Sequence, residues 1–166
     1  MRKWVCLLII VFVTGQVHAQ EIKSIKATDM EKIIAESKTP LIINMWATWC
    51  KPCLAELPHF LEEVKKHNAL AGPGDSISLL LVSLDFKEAF PREIAAVAKK
   101  RKLDVPIAWL NETNADYFCP KLDPKWSGAI PATLFIHNKT GYRNFVEGEL
   151  SHEELKKEIM AILGKR

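Results

Sequence analysis

The chain has 166 residues, 48% hydrophobic and 26% charged, the balance of one globular domain with a core of useful size. Its 23 basic and 20 acidic residues leave a net charge of +3, and setting aside Arg2 and Lys3 leaves 21 against 20. A charge that close to neutral argues against nucleic acid or an acidic membrane surface as a partner.

The first residues read as a targeting segment. Met1-Arg2-Lys3 is a short basic start, and residues 4–13 are apolar, a stretch of about ten against the roughly 20 that a spanning helix needs. Val17-His18-Ala19 offers a cleavage site. The expectation is a secretory signal peptide over residues 1–19 and one domain over 20–166. The rival is an uncleaved N-terminal anchor, and only then would the protein touch a membrane. Cys6 lies inside the apolar stretch and no cysteine follows it at a cleavage site, so a lipoprotein is disfavoured. Cleavage leaves Cys50, Cys53 and Cys119, in an oxidising compartment.

Thr28 or Asp29 can cap a short helix running to residue 38, with Met30, Ile33 and Ile34 on its apolar side. Thr39-Pro40 ends it, and residues 41–46 read as a buried strand. A helix follows over 51–67, with Leu54, Leu57, Leu61 and Val64 at helical spacing. Pro58 inside it should kink it. Residues 68–76 hold Gly72-Pro73-Gly74 and form a loop. The apolar run 77–84 suits a central parallel strand buried on both faces.

A helix is expected over 91–102, with Ile94, Val97 and Ala98 inward and its positive charge near the C-terminus, where the helix dipole favours it. Residues 105–110 form a strand. Residues 111–127 are irregular, with one short helix around 114–119. Residues 132–138 form a strand, Asn138-Lys139-Thr140-Gly141 a hairpin turn, and 142–147 an antiparallel return. Ser151 and Glu154 make a capping box, with Leu150 stapled on Leu155, and Leu155, Ile159, Ile162 and Leu163 form the buried stripe of a last helix. There is no repeat, low-complexity tract or second domain. Strand–helix alternation ending in a hairpin and a helix implies an α/β fold, a central mixed β-sheet flanked by helices on both faces.

Chemistry concentrates at Cys50-Lys51-Pro52-Cys53, between the strand 41–46 and the helix that follows. Two thiols at this spacing can close a small disulfide ring and open it again, given that the first sits at a helix mouth where an anion is favoured. A bridge across two residues constrains little chain entropy, so redox chemistry outweighs a static disulfide. A zinc half-site would need a second ligand pair, and Cys119, His59, His67, His137 and His152 show no paired spacing. No metal or cofactor is called for.

Pro52 fits the first helical turn, where a missing N–H costs nothing. Lys51 either favours the thiolate or is simply solvated. Glu56 stands three residues after Cys53, so the two can share a helical face. It either handles protons for Cys53 or faces solvent. Trp46 reads as core and Trp49 as exposed beside Cys50. Trp126 lines the same groove or packs in the core, and Cys119 is a small buried hydrophobe. By base rate Pro131 is a trans proline opening a strand.

The run Trp46-Ala47-Thr48-Trp49-Cys50-Lys51-Pro52-Cys53, followed by Glu56 and Pro58, resembles the thioredoxin superfamily. Within it, the chain is most similar to the exported TlpA/ResA-like disulfide reductases. Ile130-Pro131-Ala132-Thr133, leading into Leu134-Phe135-Ile136, is a second match, and the order of elements agrees over nearly all of 20–166. The resemblance implies a thioredoxin fold in which Cys50 attacks, Cys53 resolves and Pro131 is cis beside them. It also implies that the backbone of Ile130 pairs with an extended partner segment, with Trp49, Lys51 and Pro52 completing the substrate-binding surface.

The family usually carries a buried carboxylate where this chain has Asn44, which moves the expected proton handling to Glu56. The implied protein is a periplasmic or otherwise extracytoplasmic monomer. It reduces disulfide-containing substrate proteins and is recharged by an upstream thiol electron donor, with cytochrome c maturation as one duty. Residues 117–128 depart from the family pattern, which bears on the partner. Two rivals are weighed beside it. A peroxiredoxin-like peroxidase wants a threonine further ahead of its cysteine than Thr48 is, and a nearby arginine. A copper delivery module wants wider cysteine spacing and a histidine, for which His137 is the candidate.

Overall fold

The computed structural model describes residues 21–72 and 74–165, so the expected signal peptide lies outside the described residues. None of the described helices is long and apolar enough to cross a membrane. The strands are Lys23–Ile25 (β1), Leu41–Trp46 (β2), Ser78–Ser83 (β3), Ile107–Leu110 (β4), Ala132–His137 (β5) and Tyr142–Glu147 (β6). The helices are Ala27–Glu36 (α1), Lys51–Asn68 (α2), Arg92–Arg101 (α3), Ala115–Leu122 (α4) and His152–Ile162 (α5).

The strands form one mixed sheet in the order β1-β4-β3-β2-β5-β6. β1, β4, β3 and β2 run parallel, β5 pairs antiparallel with β2, and β6 pairs antiparallel with β5. Every residue of β2 is buried, as a strand covered on both faces requires. Ile42 and Trp46 of β2 pack with Leu57 and Phe60 of α2, Ile94 of α3 and Leu155 and Ile159 of α5. Ile43 and Met45, pointing the other way, pack with Met30 of α1 and Phe118 and Leu122 of α4. The sheet is thus covered on both sides, as the sequence implied.

Register positions the site. Met45 in β2 pairs with Ala132 in β5, so Pro131 lies level with the C-terminal end of β2, where residues 47–50 lead into α2. The last residues of β2 and β3 are also paired, Trp46 with Ser83. Thr48 and Asp85 therefore leave the sheet side by side at the carboxyl ends of parallel strands, where sites in such sheets form.

Several local expectations shift. β1 has only three residues and no alternation of its own; it exists because its backbone pairs with Ala108, Trp109 and Leu110 at the sheet edge. α1 is capped earlier than expected: Lys26 is the N-cap, and Asp29 reaches back to accept its N–H at 2.8 Å. α2 carries Pro58 inside it, as the sequence implied, and ends one residue later than expected, at Asn68. α4 extends past Cys119 through Pro120 to Leu122. A 3-10 turn at Lys87–Ala89 and a cis Phe90–Pro91 bond precede α3. The capping box of α5 is present, with Ser151 Oγ accepting from Glu154 N at 3.3 Å and Glu154 accepting from Ser151 N at 2.9 Å.

Candidate active site

Cys50 is the N-cap of α2, and Pro52 occupies the first turn, where its missing N–H leaves no bond unmade. The Cys53 N–H donates to Cys50 Sγ at 3.3 Å, so a free helix-terminal donor points at the first sulfur. Cys50 and Cys53 are joined as a disulfide with Cα atoms 5.3 Å apart. Both are buried, Cys50 at 5% exposure and Cys53 fully. Trp49 is 57% exposed, and Lys51 and Pro52 are exposed beside it. Trp46 is core.

The Ile130–Pro131 bond is cis, against the base rate for the residues alone and in line with the resemblance. Pro131 is buried and Ile130 half-buried. Gly148 donates its N–H to Pro131 O at 2.8 Å, and Trp126 Nε1 donates to Ala129 O at 2.8 Å. Trp126 is 5% exposed and stacks edge-on against Phe118. It belongs to the core and braces the segment leading to Pro131 from beneath.

A buried polar chain lies one turn along α2. Glu56 is 1% exposed, which removes the solvent-facing alternative. Asn44 Nδ2 donates to Glu56 Oε1 at 2.8 Å and to Thr133 Oγ1 at 3.0 Å, and Leu150 N donates to Glu56 Oε2 at 2.8 Å. Desolvation holds the Glu56 carboxyl above its ordinary 4.5, while the Leu150 and Asn44 bonds pull it down and the charge of Glu149 adds to the rise. Asn44 Oδ1 and Trp46 Nε1 are buried without a hydrogen-bond partner among the described residues.

Sequence reasoning missed the group that holds the loop before the dithiol. Asp85 is 4% exposed. It accepts from Thr48 N at 3.1 Å, Thr48 Oγ1 at 2.6 Å and Ser83 Oγ at 2.7 Å. Its own carbonyl accepts from Trp109 Nε1 at 2.7 Å. A carboxylate ending a buried strand next to a threonine in the reactive motif is the available signal, but only the β2–β3 register makes it readable.

The remaining candidates fall elsewhere. Cys119 is buried and free; burial first, then Asp116 and Glu147, push its thiol up to about 11. That suits the small hydrophobe expected of it. His137 ends β5 and contacts Ile162 O at 3.0 Å, roughly 17 Å along the strand from the Pro131 end. His59 and His152, unrelated by spacing, come together with Glu62 in a group able to hold a metal ion.

No protein-family model matches the chain. It is 33% identical over 136 residues to a sporulation thiol-disulfide oxidoreductase A of Bacillus subtilis, covering 81% of this chain and 73% of that one. It is 26% identical to the thioredoxin-like protein YneN of the same organism, over 72% of this chain and 62% of the relative's length. Its fold matches the crystal structure of a thioredoxin-related protein from Neisseria meningitidis at a TM-score of 0.62 and 25% identity, over 80% of this chain and 91% of that one. With its dithiol at the mouth of α2 and the cis proline level with it, the chain belongs to the thioredoxin superfamily, among its TlpA/ResA-like thiol-disulfide oxidoreductases.

Proposed function

We propose that the protein is an extracytoplasmic reductase of protein disulfides. The observation that carries the reading is the Cys53 N–H aimed at Cys50 Sγ at the start of α2. In the reduced protein that donor favours a thiolate on Cys50. The thiolate attacks one sulfur of a partner disulfide, forms a mixed disulfide and releases the other partner sulfur as a thiolate. Cys53, deprotonated in turn, attacks Cys50 Sγ and releases the second partner thiolate. Two electrons pass to the partner and the Cys50–Cys53 bond closes, to be reopened by an upstream thiol donor.

Glu56 is the acceptor for the Cys53 proton in this scheme. Its raised affinity for a proton suits it to that exchange. When ionised it also opposes thiolate formation at the dithiol. A destabilised reduced form surrenders electrons more readily, so a carboxylate here favours the reducing direction. Exposed Trp49, Lys51 and Pro52 offer the partner a surface, and the Ile130–Pro131 turn offers backbone to an extended segment. The expected signal peptide supports an extracytoplasmic site of action, and a cytochrome c precursor is one substrate of the right chemistry.

The rivals have weaker support. Thr48 Oγ1 is committed to Asp85, away from any peroxidase role at Cys50. His137 at the far end of β5 is badly placed for a copper site at the thiols. The test is a Cys53→Ser protein. It is expected to stall as a mixed disulfide on Cys50 with exported partners, visible as reducible adducts, while the parent protein reduces a model protein disulfide. An empty trap together with no reductase activity in the parent would overturn the reading, as would turnover of peroxide alone.

A further inference from the structure

His59 and Glu62 stand three residues apart on α2 and share one face. His152, the first residue of α5, meets them there. The rings of His59 and His152 stack, with centroids 4.6 Å apart and planes inclined by 15°. One ligand atom from each of His59, Glu62 and His152 lies within 4.8 Å of the others.

Behind them Glu63, 8% exposed, places Oε1 2.9 Å from His152 Nε2. With Nε2–H donated to that carboxylate, Nδ1 carries the free lone pair of His152. A carboxylate fixing the far nitrogen of an imidazole is how protein metal sites orient their histidines. An ion pair between His152 and Glu63 would account for that contact alone. It leaves the convergence of His59 and Glu62 on the same point unexplained. Two cations stand nearby: Lys156, bound to Glu153 Oε1 at 3.0 Å and facing Glu62 and Glu63, and Lys66, which lines a cavity with Glu63 and Lys156.

We propose that His59, Glu62 and His152 bind a divalent transition ion of the zinc class, with Glu63 orienting His152. Two imidazoles and one carboxylate suit Zn²⁺ or Cu²⁺ rather than the all-oxygen cations. Bond lengths near 2 Å put tetrahedral ligand atoms roughly 3.3 Å apart, so these donors close on an ion by side-chain rotation. The fourth position is left to water. The site lies roughly 9 Å along α2 from Cys53. An ion there ties α2 to α5 and leaves the exchange chemistry alone.

The test uses the protein without a polyhistidine tag and with Cys50–Cys53 closed, so that those thiols cannot ligate. Titration with ZnCl₂, followed by calorimetry and thermal melting, is expected to show one ion per chain and a raised melting temperature. His59→Ala and His152→Ala should each weaken binding at least ~10-fold, and Glu63→Gln by about 10–100-fold, with disulfide reduction unchanged. Glu62 is exposed, so Glu62→Gln keeps the fold and removes one donor should a histidine variant fail to fold. No zinc uptake by the parent protein at about 100 μM overturns the proposal. So does binding that Glu62→Gln and both histidine variants leave unchanged.

Discussion

A carboxyl as enclosed as Glu56 keeps its proton to higher pH than one in water, because burial penalises the charge. Its folded-state pKa lies above the ordinary 4.5. Between those two values the native state binds more protons than the unfolded chain. Stability attributable to this group is therefore complete below about 4.5 and is lost as pH rises through the folded value. Glu56→Gln should flatten that part of the pH–stability curve, measured by urea unfolding across the range, and should shift the pH profile of Cys50 exchange. An unchanged exchange profile would remove Glu56 from proton handling. Asn44 was visible in the sequence as a departure from the family pattern, and Glu56 as a residue able to share a helical face with Cys53. Their contact was not, because it spans twelve residues and depends on how α2 lies over β2.

At the level of elements, the strand–loop–helix unit that carries the dithiol is held from outside itself. Asp85, just past β3, binds both the backbone and the hydroxyl of Thr48. Asp85→Ala would leave the half-buried Thr48 donors and the buried Ser83 Oγ without their acceptor, at a cost on the order of 3 kcal/mol. The expected result is a lower urea midpoint together with faster proteolysis at residues 47–50; full stability in that variant would show the anchor to be dispensable. The long elements were legible from periodicity: β2, α2, β3, the β5–β6 hairpin and α5 with its capping box all stand within a few residues of expectation. Among the short ones, α1, β4 and α4 were anticipated with shifted bounds, and β1 was not. β1 borrows its structure from β4, and α4 passes through a proline that a local reading takes as a stop.

On the scale of the molecule, the two faces of the sheet hold separate cores, and the face bearing the dithiol holds the larger aromatic residues of α2 and the sheet. Phe60 is fully buried there. Phe60→Ala should cost about 3–5 kcal/mol, whereas Leu70→Ala, at a site 86% exposed, should stay within about 0.5 kcal/mol. Denaturation of the pair checks the assignment of the core, and equal losses would contradict it.

The sequence by itself determined the dithiol, the strand and helix that flank it, and the class of fold, since these depend on residue type and short-range spacing. The tertiary structure decided what stands next to what. It set Pro131 level with the end of β2, Asp85 under Thr48, Glu56 between Asn44 and Leu150, and His59 against His152. These neighbours lie tens of residues apart or on different elements. Their meeting is fixed by sheet register and helix packing, which are collective properties of the folded chain and leave no local pattern along it.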